Sequence, residues 1–198
     1  MTDQLTIALA QLNPRVGDLE GNADLLREAR QQAAAAGADL LMTSELMIVG
    51  YPPEDLVLRP SFLDAVEETV HALAAETADG GPAILLGSPW RTVDAAPIKG
   101  GKARLSHNAV LLLDGGEITA VRHKVDLPNY GVFDEVRVFV PGDAPEPVDF
   151  RGVKLGVPIC EDVWTPEVTR HLANRGAELL LVLNGSPFES GKTATRFD

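Results

Sequence analysis

Cysteine is almost absent: Cys160 is the single one in 198 residues, so no disulfide can close within the chain. Stability must come from an ordinary core, and the usage fits a reducing compartment. Cations are also scarce. Lys plus Arg number 17 against 29 Asp plus Glu, a formal charge of -12. Phosphate recognition needs clustered cations, and the basic residues here are scattered, which argues against nucleic acid and anionic membranes as partners. No apolar run approaches the ~20 residues of a membrane span. The opening Met1-Thr2-Asp3-Gln4 lacks the charged-then-apolar layout of a signal. A cytoplasmic protein is expected. Histidines number four and are dispersed, so no metal-ligand spacing is present. Internal repeats and low-complexity segments are missing as well.

What remains is a chain of 198 residues, 45% hydrophobic, read as one domain. A chain of this size buries roughly 70% of its unfolded surface. Strand-like and helix-like segments alternate, which predicts an α/β fold with a mostly buried sheet. Leu5 to Leu12, Asp39 to Thr43, Ala83 to Gly87, Lys154 to Cys160 and Glu178 to Leu183 read as strands. His107 to Leu113 and Glu117 to His123 form a hairpin about Asp114-Gly115-Gly116. Helices are expected over Glu20 to Ala36, with Ala23, Leu26, Ala29 and Ala33 on one face and Gly37 as the cap, and over Ser61 to Glu76. Thr165-Pro166-Glu167 starts a third that runs to about Asn174. Gly50 to Pro53 and Asp126 to Val136 read as loops, and residues 93–104 as an exposed hairpin or loop.

Cys160 ends a buried strand before a turn into a helix. That placement suits a nucleophile lifted above a sheet, although a buried inert cysteine is also common. A free thiol has a pKa near ~8.5, so a nucleophilic one wants a base or a cation beside it. Histidine is the usual base. His71 and His171 fall within helices, His107 begins a strand, and His123 points away from its neighbour Lys124; a Cys–His dyad stays open but poorly supported. Glu45 follows the Leu40 to Thr43 strand, and Lys124 follows the Glu117 to His123 strand. Functional groups gather at strand ends in parallel α/β sheets. Alone, each is more often a solvated charge. Together, an acid, a cation and a thiol at three strand ends support amide hydrolysis. Glu45 takes the thiol proton, Cys160 attacks the carboxamide carbon, and Lys124 with backbone amides holds the oxyanion.

The flanking residues carry a resemblance. Glu45 lies in Thr-Ser-Glu-Leu-Met-Ile-Val-Gly-Tyr-Pro-Pro-Glu-Asp-Leu, Lys124 opens Lys-Val-Asp-Leu-Pro-Asn-Tyr-Gly-Val-Phe-Asp-Glu-Val-Arg, and Cys160 lies in Val-Pro-Ile-Cys-Glu-Asp-Val-Trp. In order and spacing these resemble the Glu-Lys-Cys triad of the nitrilase (carbon–nitrogen hydrolase) superfamily. Gly-Tyr-Pro-Pro-Glu-Asp-Leu, Tyr-Gly-Val-Phe-Asp-Glu, Cys-Glu-Asp-Val-Trp and Asn-Gly-Ser-Pro-Phe are similar to the glutaminase domain of the glutamine-dependent NAD(+) synthetases. The resemblance implies a nitrilase-type α-β-β-α sandwich that pairs across subunits, hence a homo-oligomer. It implies glutamine as substrate, with ammonia passed to a synthetase domain of the same polypeptide that amidates deamido-NAD. By match to the motifs it implies Tyr51, Tyr130, Phe133, Glu161, Trp164 and Ser186 around the glutamine pocket, with Phe133 and Trp164 as water-excluding walls. Glu135 is implied as a second acid that orients Lys124. It implies no cofactor in this domain, and ATP and magnesium only in the synthetase domain. Residues 1–198 are expected to lack that domain and the final elements of the amidase fold.

Two other readings stay open at this level: a free-standing amidase of the same superfamily acting on another small amide, and a non-catalytic interaction module in which Cys160 is merely buried.

Overall fold

Two helices open the chain's first half because their apolar residues repeat at helical spacing. α1 (Leu19–Ala35) starts at Asp18, whose side chain accepts a hydrogen bond from the Gly21 amide. It buries Ala23, Leu26 and Ala33, with Ala29 at the margin of the same core, as the spacing predicts. Gly37 follows the cap in the left-handed region (φ 73°), and Ala38 N–H closes back on Ala33. α2 (Pro60–Glu76) begins on proline and buries the stripe Leu63, Val66, Val70, Leu73 and Ala74. These assignments come from a computed structural model that describes residues 4–92, 106–187 and 190–191. The exposed hairpin or loop expected over residues 93–104 lies outside the described residues.

Five strands form the first sheet in the order β1 (Ile7–Leu9), β2 (Leu40–Met42), β3 (Ala83–Trp90), β4 (His107–Asp114) and β5 (Glu117–His123). β1, β2 and β3 run parallel; β4 and β5 reverse in turn. The expected hairpin is present, with Gly115 and Gly116 both at positive φ, the geometry its tight turn demands. β3 continues past Gly87, where the strand was expected to end, because β4 pairs with it as far as Trp90–His107.

β6 (Val148–Phe150), β7 (Val153–Gly156) and β8 (Leu179–Leu180) form a second sheet. β6 has no periodic signal and is too short to read from sequence. Between β7 and Cys160, Pro158 has no N–H to donate, so regular pairing stops at Gly156 and resumes only at the Ile159–Leu183 bridge. The strand expected over 154–160 is therefore interrupted. Two short α-helices follow among the described residues: α3 (Glu135–Val138), which starts within the last two residues of the expected Asp126 to Val136 loop and runs past it, and α4 (Pro166–Asn174), as expected.

Burial alternates along the first sheet. Leu41, Ile84, Leu86 and Leu111 face the core shared with α1 and α2. Leu40, Leu85, Val110 and Leu112 face a second core with Val148, Phe150, Leu155 and Val157 of the other sheet. Both faces are covered, which explains strands that read as continuous apolar runs. On the far side α4 packs its Leu172 over Gly156, within 3.3 Å of where a Cβ would stand. The layers are helix, sheet, sheet, helix: the expected α-β-β-α sandwich.

Candidate active site

Three strand ends meet at one edge of this sandwich. Glu45 lies just past β2 and must cross in front of β3 to reach the others. Gly87 allows that crossing: a Cβ there would sit 2.4 Å from Ser44 O and 2.6 Å from Leu46 N. Lys124 follows β5 directly, its N–H held by Asn108 O at 2.8 Å. Asn108 is near the start of β4, which runs opposite to its neighbours, so it lies at the same sheet end. Cys160 opens a single 3-10 turn, Cys160–Val163, beyond the proline break. Its φ of 45° and that of Leu46, 49°, put both in the left-handed region, a strained backbone of the kind stored at functional sites.

The charged groups are out of water. Lys124 is 0% exposed and Glu45 1%. Lys124 Nζ donates to Glu45 Oε1 at 2.7 Å and to Glu135 Oε1 and Oε2 at 2.8 and 2.9 Å. Glu135 therefore does reach Lys124 from α3. Asn108 Nδ2 donates to Glu45 Oε1 at 2.8 Å and to Glu135 Oε2 at 3.2 Å. Tyr51 OH donates to Glu135 Oε1 at 3.0 Å. Glu45 Oε2 is the exception: it is buried and accepts no hydrogen bond from the described residues. It lies against Gly185, whose Cβ would be 2.8 Å away. The Gly185 backbone also acts on the Cys160 thiol, favouring its charged form. The thiol and the unused carboxylate oxygen thus share one neighbour.

Burial raises the Glu45 carboxyl above its ordinary range; Lys124 pulls it down again and Glu135 pushes it up. Burial works against the Lys124 ammonium, but Glu45 and Glu135 outweigh it and hold its pKa above the ordinary lysine value. Burial and then the Glu45 carboxylate push the Cys160 thiol up to about 12, against the Gly185 amide and Lys124. At rest the sulfur is therefore a thiol. No histidine is among the groups that set the thiol. His107 and His123 instead stack on each other at 4.0 Å, and burial holds His123 down at about 4. The dyad left open on sequence is not formed.

The rim is different in kind. Tyr130 OH donates to both Glu161 carboxylate oxygens at 3.0 Å. Phe133 lies between two tyrosines, 6.5 Å from Tyr51 and 5.4 Å from Tyr130 between ring centroids. Ser186 follows Gly185 and is exposed. Trp164, at the end of the 3-10 turn, is 61% exposed and belongs to neither core.

Two buried residues had no assigned role in the sequence reading. Asn108 could have been noticed as an amide in an otherwise apolar strand, a residue type strands avoid. Asp162 is 0% exposed. Its Oδ1 accepts from the Val125 and Asp126 amides at 3.0 and 2.8 Å, and its Oδ2 from Ile159 N–H at 2.9 Å. It ties the segment after Lys124 to the turn that carries Cys160. An acid two residues after the thiol was its only signal.

Known proteins resemble this chain in sequence and in fold. Residues 6–196 match the Carbon-nitrogen hydrolase family. The glutamine-dependent NAD(+) synthetase of Rhodobacter capsulatus is 44% identical over 99% of this chain and 34% of its own length. The structure of a glutamine-dependent NAD+ synthetase from Acinetobacter baumannii in complex with ADP superposes with a TM-score of 0.83, 33% identity, and coverage of 97% of this chain and 34% of that one. A variant of the amidase from Nesterenkonia sp. AN1, showing Michael addition of acrylamide at its active-site cysteine, gives a TM-score of 0.77 at 30% identity, covering 96% of this chain and 70% of that one. The chain spans about a third of the length of the curated relatives it matches.

Proposed function

The chain belongs to the carbon–nitrogen hydrolase family, and on that premise we propose that it hydrolyses glutamine to glutamate and ammonia through a thioester on Cys160. The observation that carries this reading is the sealed Glu45–Lys124–Glu135 cluster beside a thiol on a left-handed turn. Glu45 is the base. Its Oε1 is committed to Lys124 and Asn108, so Oε2 takes the thiol proton as Cys160 Sγ attacks the carboxamide carbon. Protonated Glu45 is neutral and holds Lys124 less tightly. The ammonium then turns part of its charge to the new oxyanion, where the charge is needed. Glu45 passes its proton to the departing ammonia, and the thioester is left. A water that Glu45 activates hydrolyses it and restores the thiol.

At the rim, Glu161 and the hydroxyls of Tyr130 and Ser186 suit the ammonium and carboxylate of a free amino acid, and the Phe133 ring supplies an apolar side. Similarity to glutamine-dependent synthetases supports glutamine over other amides. The relatives are about three times as long as this chain. We accordingly assign the ammonia to a synthetase domain of the same polypeptide, which amidates deamido-NAD with ATP and magnesium. The amidase part needs no cofactor, works as a homo-oligomer and acts in the cytoplasm.

Ammonia release from glutamine, measured beside a panel of aliphatic amides and ureido acids, tests the substrate. Glutamine is expected to exceed every other amide; turnover of the panel without glutamine would replace this reading by a free-standing amidase. The pH profile tests the roles. Protonating Glu45 removes the base, so kcat/KM falls on the acid side. Because burial raises Glu45, the fall begins above the ordinary carboxylate value of ~4.3. The thiol, at about 12, gives no inflection near neutrality.

A further inference from the structure

Asn108 stands between the two carboxylates and is committed to both. One of its amide protons goes to Glu45 Oε1 at 2.8 Å and the other to Glu135 Oε2 at 3.2 Å. The opposite amide orientation would aim Oδ1 at two negative charges, so the charges fix the orientation. Oδ1 itself is buried and accepts nothing from the described residues. A buried, unsatisfied acceptor is costly. The residue is therefore held for its two donors, not for its carbonyl. Around it, Glu45 comes from the segment after β2, Lys124 from the end of β5, Glu135 from α3, Tyr51 from the loop before α2, and Cys160 from its 3-10 turn. Two carboxylates share a single lysine there, and an uncharged second donor must bridge what one cation cannot hold alone.

We propose that Asn108 is the positioning residue that makes Glu45 a base with one available oxygen: it shares Oε1 with Lys124, fixes Glu45 against Glu135, and leaves Oε2 alone to face the thiol. The proposal rests on the reading of Cys160 and Glu45 as nucleophile and base. Donation from Asn108 favours the charged form of Glu45, so its loss should move the Glu45 ionisation to higher pH.

The test follows alkylation of Cys160 by chloroacetamide across pH in the full chain, alongside ammonia release from glutamine. Asn108→Asp keeps the volume and turns a donor into a third carboxylate. Its acid limb is expected to shift upward by at least one pH unit, with kcat down more than tenfold and KM within threefold. Asn108→Ser, smaller and neutral, should shift the limb in the same direction by less. Unmoved limbs in both variants would overturn the proposal, and Asn108→Ser decides alone if Asn108→Asp does not fold. If neither folds, Asn108 is a structural bridge and the proposal falls. A wild-type profile without an acid limb overturns it together with Glu45 as the base. No ammonia from glutamine, with the limb intact and displaced in the variants, removes the substrate and leaves Asn108 in its role.

Discussion

The floor and the rim of the site are built on opposite principles. At the floor, Glu45, Lys124, Glu135 and Asn108 are buried and interlocked: Lys124 and Asn108 donate to both carboxylates, and only Glu45 Oε2 and Asn108 Oδ1 among their acceptors take no hydrogen bond from the described residues. At the rim, Tyr130 is 56% exposed, Trp164 more so, and Glu161 has one partner hydroxyl. Buried charges hold each other strongly because water cannot compete; exposed ones are screened and contribute little. The floor can therefore fix a proton path, while the rim can only lend contacts to a ligand that brings its own charges. Chemistry should reside in one and affinity in the other, and substitutions can separate the two.

The largest effect should come from Cys160→Ala. Turnover of glutamine is expected to vanish while the fold survives, since the side chain lost is small and uncharged; ammonia release together with a melting curve checks both. Residual turnover within tenfold of wild type would move the chemistry away from this thiol. Next comes Lys124→Met, which keeps the stem and deletes the ammonium. It leaves Glu45 and Glu135 buried without a cation and should cost about 3–5 kcal/mol of stability. The sign of its pH dependence follows from the charge. Without Lys124 the Glu45 carboxyl rises further, so folded protein is favoured while that carboxyl is protonated and loses stability as pH rises through its pKa. Urea midpoints at pH 5 and pH 8 measure this. A variant equally stable at both would mean that the two carboxylates are not in contact with each other's field.

That contrast also marks what the chain reveals unaided. Cys160, Glu45 and Lys124 each follow a strand whose apolar run is visible, so their convergence could be read before any coordinates. Helices α1, α2 and α4 were equally legible through spacing and caps. The partners that make the floor work were not. Asn108 acts through a contact 63 residues away in sequence, to Glu45, and such contacts leave no periodic trace. Asp162 looks like any acid in a turn until three amides are found converging on it. β6 and the Pro158 interruption escaped because three-residue strands depend on their partner, not on local preference. The rim is legible only as motif: nothing in Cys-Glu-Asp-Val-Trp says that Trp164 stands in solvent.

The smallest effect, and the most discriminating, belongs to Tyr130→Phe. The change deletes the hydroxyl that donates to Glu161 and leaves the ring 5.4 Å from Phe133 available for packing. Glu161 stays solvated, so stability should move by no more than about 0.5 kcal/mol. If the rim supplies affinity alone, KM for glutamine rises several-fold and kcat holds, because the lost contact is made equally to substrate and transition state. A tenfold fall in kcat at constant KM would instead mean that Tyr130 acts on the thiol turn through Glu161, the neighbour of Cys160. Floor and rim would then be one device, since an exposed hydroxyl would be setting the geometry of a buried nucleophile.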